Sequence, residues 1–159
     1  TLPPTWSPHT CDLQHNKVRC EIPHVRDAPG MGQGAWATVG YERGELLGEL
    51  VGELAPIDHY NDGWAADLFR DDLSKDGKEV RWCQVYPCYM GNWVCKVNPS
   101  CESNCIFKSM NISGRWRVML QATQPIERGS WILVNYGEDY WKDGDRCLCG
   151  SRYCIINSA

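Results

Sequence analysis

Near the end of the chain, Cys147, Cys149 and Cys154 form a C-x-C-x4-C array. A segment this short can fold three sulfurs round one tetrahedral zinc ion, whose fourth ligand must then come from elsewhere. Disulfides are the alternative and would need distant partners at the right Cα spacing. Seven further cysteines lie upstream, making ten in 159 residues. That is about 6%, under the ~8–10% of disulfide scaffolds yet too many to be incidental. A second feature is Pro29-Gly30-Met31-Gly32-Gln33-Gly34, where closely spaced glycines let backbone approach a ligand or take positive φ. It lacks the strand and long helix of a dinucleotide fingerprint, so on its own it reads as a turn.

The elements that must position these groups are short strands. Glu45–Leu54 reads as strand material punctuated by Gly48 and Gly52, and strands are expected over Glu79–Tyr86, Asn104–Asn111, Arg115–Ala122 and Trp131–Val134, with Ser113-Gly114 as a hairpin turn. The acidic stretch Asn61–Lys78 has room for one short helix around Trp64–Phe69. Glu42-Arg43-Gly44 and Glu127-Arg128-Gly129 echo one another as two similar turns. The length suits one core, and 43% hydrophobic with 23% charged residues excludes a coiled coil, a collagen-like fibre and a disordered tail. No apolar run is long enough for a membrane helix. Acidic residues outnumber basic ones by 20 to 16, a net charge of -4, which argues against a nucleic-acid surface and tolerates a cationic partner. The chain opens on Thr1 rather than Met, as a processed product would, and Thr1–Thr10 is not a signal peptide.

Several segments then combine in one order: Gly32-Gln33-Gly34-Ala35-Trp36-Ala37, Glu49-Leu50-Val51-Gly52-Glu53, Gly91-Asn92, Asn98-Pro99-Ser100-Cys101-Glu102-Ser103-Asn104, Val134-Asn135-Tyr136-Gly137-Glu138-Asp139-Tyr140-Trp141, and the cysteine tail. From about residue 24 to 156 this resembles a SET domain with its post-SET zinc segment, the protein lysine methyltransferase family. The resemblance implies a mainly β, pseudoknotted fold of small sheets with few short helices and a C-terminal zinc knuckle. It divides the chain into an N-terminal extension (1–23), a SET domain (24–141) and a post-SET segment (142–159).

The same resemblance implies roles position by position. Tyr136 matches the catalytic tyrosine and also borders the cofactor. Met31, Gly32, Gln33 and Gly34 match the loop that binds S-adenosylmethionine; Asn98 matches the asparagine that holds its methionine part, Pro99 sits beside its adenine, and Leu148 packs against that ring. Phe69, Val134 and Tyr140 match the lysine channel. Cys101 completes a Zn2+ site with Cys147, Cys149 and Cys154. Glu53 is read as a fold residue rather than a base. The sequence departs from the family pattern at Leu50, where a tyrosine is expected, and at Cys95 and Pro99, which stand for an arginine and a histidine. Pro99 has no N–H to donate, which costs about 1 kcal/mol of adenine binding. Val134 is smaller than the Phe or Tyr common there, which points to methylation beyond the first step.

These features imply S-adenosylmethionine-dependent methylation of a protein lysine, a histone tail being the expected substrate. The alternative is a degenerate SET scaffold that binds a peptide or partner without turnover. A nuclear setting is expected, with a basic peptide as partner, no direct nucleic-acid contact, no membrane, and room for partner subunits. Asp67, Asp71, Asp72, Asp76 and Glu79 are expected to form part of the peptide groove or else a solvated loop. Cys11, Cys20, Cys83, Cys88, Cys95 and Cys105 are read mostly as buried thiols, with a Cys11–Cys20 pair or further metal as the remainder. His9, His15, His24 and His59 are read as surface residues.

Overall fold

The computed structural model describes residues 21–136 and 146–154. Its strands are β1 (His24–Ala28), β2 (Gly32–Trp36), β3 (Leu46–Glu49), β4 (Glu53–Ala55), β5 (Ala66–Arg70), β6 (Val80–Tyr86), β7 (Asn98–Pro99), β8 (Cys105–Ile112), β9 (Arg115–Ala122) and β10 (Trp131–Val134). A single 3-10 turn, Trp93–Lys96, is the only helical element among the described residues. The fold is therefore mainly β, as expected, with less helix than the sequence implied.

The larger sheet runs β1-β2-β10-β8-β9-β3, with β7 also paired to β10; the smaller runs β4-β6-β5. Strand β10 carries the arrangement. It is antiparallel to β2 but parallel to β7 and β8, so a late strand slots between an early one and the middle of the chain. Three segments far apart in sequence thus meet along one strand: the glycine loop entering β2, the Asn98–Pro99 step, and the residues leaving β10 toward Tyr136.

The β8–β9 hairpin follows from its alternation and turn. Its eight pairs run from Cys105↔Ala122 to Ile112↔Arg115. Ser113 takes φ 51°, and Asn111 Oδ1 accepts the Gly114 N–H at 3.0 Å, closing the turn. On β9, Val118, Leu120 and Ala122 face the main core with Leu47, Leu68, Val94, Ile132 and Val134. Met119 faces a second cluster with Leu46 and Ile112. The two Glu-Arg-Gly turns are indeed alike: Gly44 donates to Ala122 O (2.8 Å) and Gly129 to Ala37 O (2.7 Å), each turn closed by a bond from the residue after its glycine back to its glutamate.

One expectation is corrected. The Trp64–Phe69 stretch is not a helix: Ala66–Arg70 is strand β5, paired along β6, with Leu68 driven fully into the core. Tertiary pairing overrides a weak local preference there. Glu45–Leu54 is strand material that divides between the two sheets at Leu50–Gly52, next to one of its punctuating glycines. Gly52 lies against the Tyr86 carbonyl, where a Cβ would stand 2.8 Å from Pro87 N; only glycine lets β4 cross so close to the end of β6. No described helix is long and apolar enough to cross a membrane.

Candidate active site and metal centre

A cleft of about 1430 Å³ runs between the sheets. Met31, Gly32, Gln33, Asn98, Pro99 and Leu148 line one part of it; Phe69, Phe107, Ser109 and Tyr136 line another. Small-molecule pockets typically measure ~300–1,000 Å³, so this space accommodates a cofactor together with an incoming side chain.

The loop before β2 is held by packing and by hydrogen bonds. Asn98, 7% exposed, donates to Met31 O (3.2 Å) and Gln33 O (3.1 Å) and accepts from Trp131 Nε1 at 3.2 Å. Both of its amide hydrogens are thus committed to the loop, leaving only one oxygen lone pair for any ligand. A methyl group on Gly34 would stand on the Asn98 carboxamide oxygen and 2.8 Å from the Trp131 indole nitrogen. We expect Gly34→Ala to displace Asn98 and destabilise the protein by about 1–3 kcal/mol, the scale of an overpacked site losing its hydrogen bonds; thermal melting reads this directly.

Tyr136 lies two residues beyond β10. Its hydroxyl donates to Val97 O at 2.6 Å, and its ring lies near-parallel to Phe107 with centroids 6.3 Å apart. Phe69 sits at a register shift in β5, and its N–H donates to Ser109 Oγ on the other wall at 2.8 Å. Val134 is fully buried in the core and is not among the cleft-lining residues, so it shapes the cleft through Tyr136 and Phe107, which pack on the same core. Leu50 fills a core position at the cleft wall. Tyr140 lies outside the described residues, as do His9, His15, Cys11 and Cys20.

The four cysteines come together. The Sγ atoms of Cys101, Cys147, Cys149 and Cys154 lie within 4.8 Å of one another, with Cys101 3.9 Å from Cys147 and 3.7 Å from Cys154. A Zn–S distance of ~2.3 Å puts tetrahedral sulfurs about 3.8 Å apart, so the spacing suits a metal and is far beyond a disulfide. Burial pushes the Cys147 thiol up to about 12. Burial acts the same way on Cys149, but hydrogen bonds from the Cys101 and Ser151 backbones outweigh it and bring that thiol down to about 7. Four cysteine sulfurs within 4.8 Å of one another fit a structural zinc site.

Among the described residues, the other cysteines form no such group. Cys83 and Cys105 are buried free thiols, Cys95 is half-buried and Cys88 exposed. Burial pushes Cys105 up to about 12, which makes it inert. His24 and His59 are exposed, as expected. The acidic run divides: Asp72 is held by Arg70, Asp76 by Lys78, and Asp67 by Arg81, which also pairs with Asp58. Only Asp67 and Glu79 of that run reach the cleft, joined by Asp62.

A SET-domain model matches residues 32–137. The chain belongs to the SET-domain family. Its relatives include a SET domain-containing protein of Phaeosphaeria nodorum, 31% identical over 131 residues, covering 81% of this chain and 20% of that protein. Histone-lysine N-methyltransferase trithorax of Drosophila virilis is 26% identical over 137 residues, covering 77% of this chain and 3% of its own length. The H3 lysine-4 specific histone-lysine N-methyltransferase of Emericella nidulans is 38% identical over 61 residues, 36% of this chain and 5% of that protein. This chain thus spans a fifth or less of the length of these relatives. SET methyltransferases use S-adenosylmethionine. The glycine loop and the Asn98–Pro99 step of this SET domain, facing an open cleft with apolar Leu148 at its border, suit a ligand with one flat apolar end and one charged end.

Residue matching does not single out Trp131, whose indole holds Asn98, or Phe107, which faces Tyr136. Phe107 is foreshadowed only by the alternation of β8, and nothing in the sequence pairs Trp131 with Asn98 across 33 positions.

Proposed function

We propose that this SET domain is an S-adenosylmethionine-dependent protein-lysine methyltransferase that acts on a basic histone tail in the nucleus. The observation that carries the reading is the single cleft, lined by Met31, Gln33 and Asn98 at one part and by Phe69, Phe107 and Tyr136 at another. When bound, the cofactor supplies a methyl group on a sulfonium. The chain's own task is to bring a neutral amine to it. A free lysine with pKa near 10.4 is neutral in only about 4 of 10,000 molecules at pH 7, a handicap of roughly 4.6 kcal/mol. Phe69 and Phe107 offer the amine a dry wall, and desolvation favours loss of its proton. Tyr136, whose hydroxyl donates to Val97 O, would orient the amine, and its position on the cleft wall supports that role. Asp62 and Glu79 line the cleft, but Asp67 there is paired with Arg81, and Lys96, Lys108 and Arg146 line it too, so the case for a Lys/Arg-rich peptide rests on the family and not on the cleft's charge. The zinc cluster would fasten the tail bearing Leu148 to Cys101, which directly follows the Asn98–Ser100 segment.

Pro99, which offers no N–H, and apolar Leu50 favour a second reading, a SET scaffold that binds peptide without turnover. Methyl transfer from labelled cofactor to a histone panel, with calorimetry of cofactor binding on zinc-loaded protein, separates the two. Binding and labelled lysine support the enzyme; peptide binding with no cofactor heat supports the scaffold.

A further inference from the structure

The Asn98 carboxamide sits at the centre of a built lock. A carboxamide can be turned over in place, exchanging its oxygen and nitrogen, unless its neighbours forbid it. Here the indole N–H of Trp131, a donor only, faces the oxygen at 3.2 Å, while two carbonyls, Met31 O and Gln33 O, face the nitrogen. Turned over, the side chain would set its oxygen against two carbonyl oxygens and its N–H against another N–H. All three bonds would be lost together.

Trp131 is itself fixed from two sides. Its ring stacks on Trp36 with centroids 5.1 Å apart and planes 13° apart, and the Arg26 guanidinium covers Trp36 at 4.2 Å. Its carbonyl accepts from Asn104 Nδ2 at 2.8 Å, and Asn104 Oδ1 accepts from Leu133 N at 2.9 Å. Gly34 leaves no space between loop, carboxamide and indole. The contact therefore runs unbroken from the edge strand β1 to the glycine loop.

We propose that Trp131 is a positioning residue for the methyl-donor site: through Asn98 it fixes the carbonyls of Met31 and Gln33, and with them the backbone the loop presents to the cleft. The nature of the ligand rests on the methyltransferase reading; the lock itself is a property of the free protein.

Trp131→Phe keeps a ring against Trp36 but removes the N–H. Trp36→Phe alters the stack but keeps that N–H. Loss of one buried hydrogen bond corresponds to roughly a five- to tenfold effect. For Trp131→Phe the expected results are backbone amide exchange at residues 31–34 of the ligand-free protein faster by about that factor, and affinity for S-adenosylmethionine lower by a similar one. Its kcat at saturating cofactor should stay within about twofold, and Trp36→Phe, which loosens the stack but keeps the N–H, should lose distinctly less than Trp131→Phe in exchange and affinity. Equal exchange and affinity in Trp131→Phe and wild type would overturn the proposal, as would an equal loss in Trp36→Phe. Should Trp131→Phe fail to fold, Asn98→Asp decides instead: it keeps an acceptor for the indole but opposes two carbonyls, so fast loop exchange with an unshifted indole N–H resonance supports the lock, and slow exchange refutes it. If wild type binds no cofactor, the methyltransferase reading fails, while the exchange comparison in the free protein still decides the lock.

Discussion

Stripping zinc from the protein with a strong chelator is expected to abolish tight binding of the methyl donor while leaving the β-sheets folded. Zinc held by Cys101, Cys147, Cys149 and Cys154 would tie the tail to the rest of the chain through Cys101. The described tail, residues 146–154, forms no strand; the hydrogen bonds that shape it include Cys154 N to Ser151 O (3.2 Å) and one from the Cys101 backbone to Cys149. Leu148, more than half exposed, has little apolar burial of its own to hold it at the cleft. Without metal, four sulfurs within 4.8 Å have no reason to stay together, and any thiolates among them repel. Structural zinc contributes ~10–16 kcal/mol of apparent free energy in small zinc domains, far more than these local contacts. The sheets are different, because their core of Leu47, Leu120, Ile132 and Val134 is complete without the tail. Elemental analysis should find about one zinc per chain, the count that a site of four thiolate ligands demands. Chelation, or Cys147→Ser, should weaken cofactor binding by roughly two orders of magnitude with far-UV circular dichroism unchanged. Zinc-free protein that binds cofactor as tightly as the loaded form would remove the metal from the site.

Much of this was legible in the residues. The C-x-C-x4-C array carries its own geometry, since three thiols so close in sequence can hardly avoid one another. The β8–β9 hairpin was readable because its alternation and its Ser113-Gly114 turn agree. Strand β5 was not: Trp64–Phe69 carries no decisive period, and only pairing with β6 makes Ala66–Arg70 a strand. Gly52 was visible as a punctuating glycine, but the reason for it, a Tyr86 carbonyl 34 positions away, was not. In the site, matching links Asn98 to the cofactor but says nothing of what holds the side chain in place. Its hydrogen bonds go to Met31, Gln33 and Trp131, partners set by the insertion of β10 beside β7 and β2, which no local pattern encodes. Val134 is a similar case, since a strand residue next to a site can face the core instead of the cleft.

Tyr136→Phe is expected to lower methyl transfer by about a hundredfold or more while leaving cofactor affinity within about threefold. The substitution keeps the ring and its parallel contact with Phe107, so the wall of the cleft stays in place. It removes one hydroxyl, whose bond to Val97 O at 2.6 Å holds the oxygen at a fixed point. Positioned polar groups of this kind contribute ~10²–10⁴ to rate. The cost to stability is the lost bond and an unpaired Val97 carbonyl, about 1–3 kcal/mol, enough to move the melting temperature but not to unfold the domain. Val97 immediately precedes Asn98, so one short segment both fixes the tyrosine oxygen and holds the glycine loop. That coupling sharpens the test. If the hydroxyl served only to brace Val97, its loss would loosen Asn98 and weaken cofactor binding along with turnover. If it acts on the amine, single-turnover transfer falls and calorimetric affinity does not. Equal transfer by both proteins would show that the oxygen of Tyr136 takes no part in the chemistry.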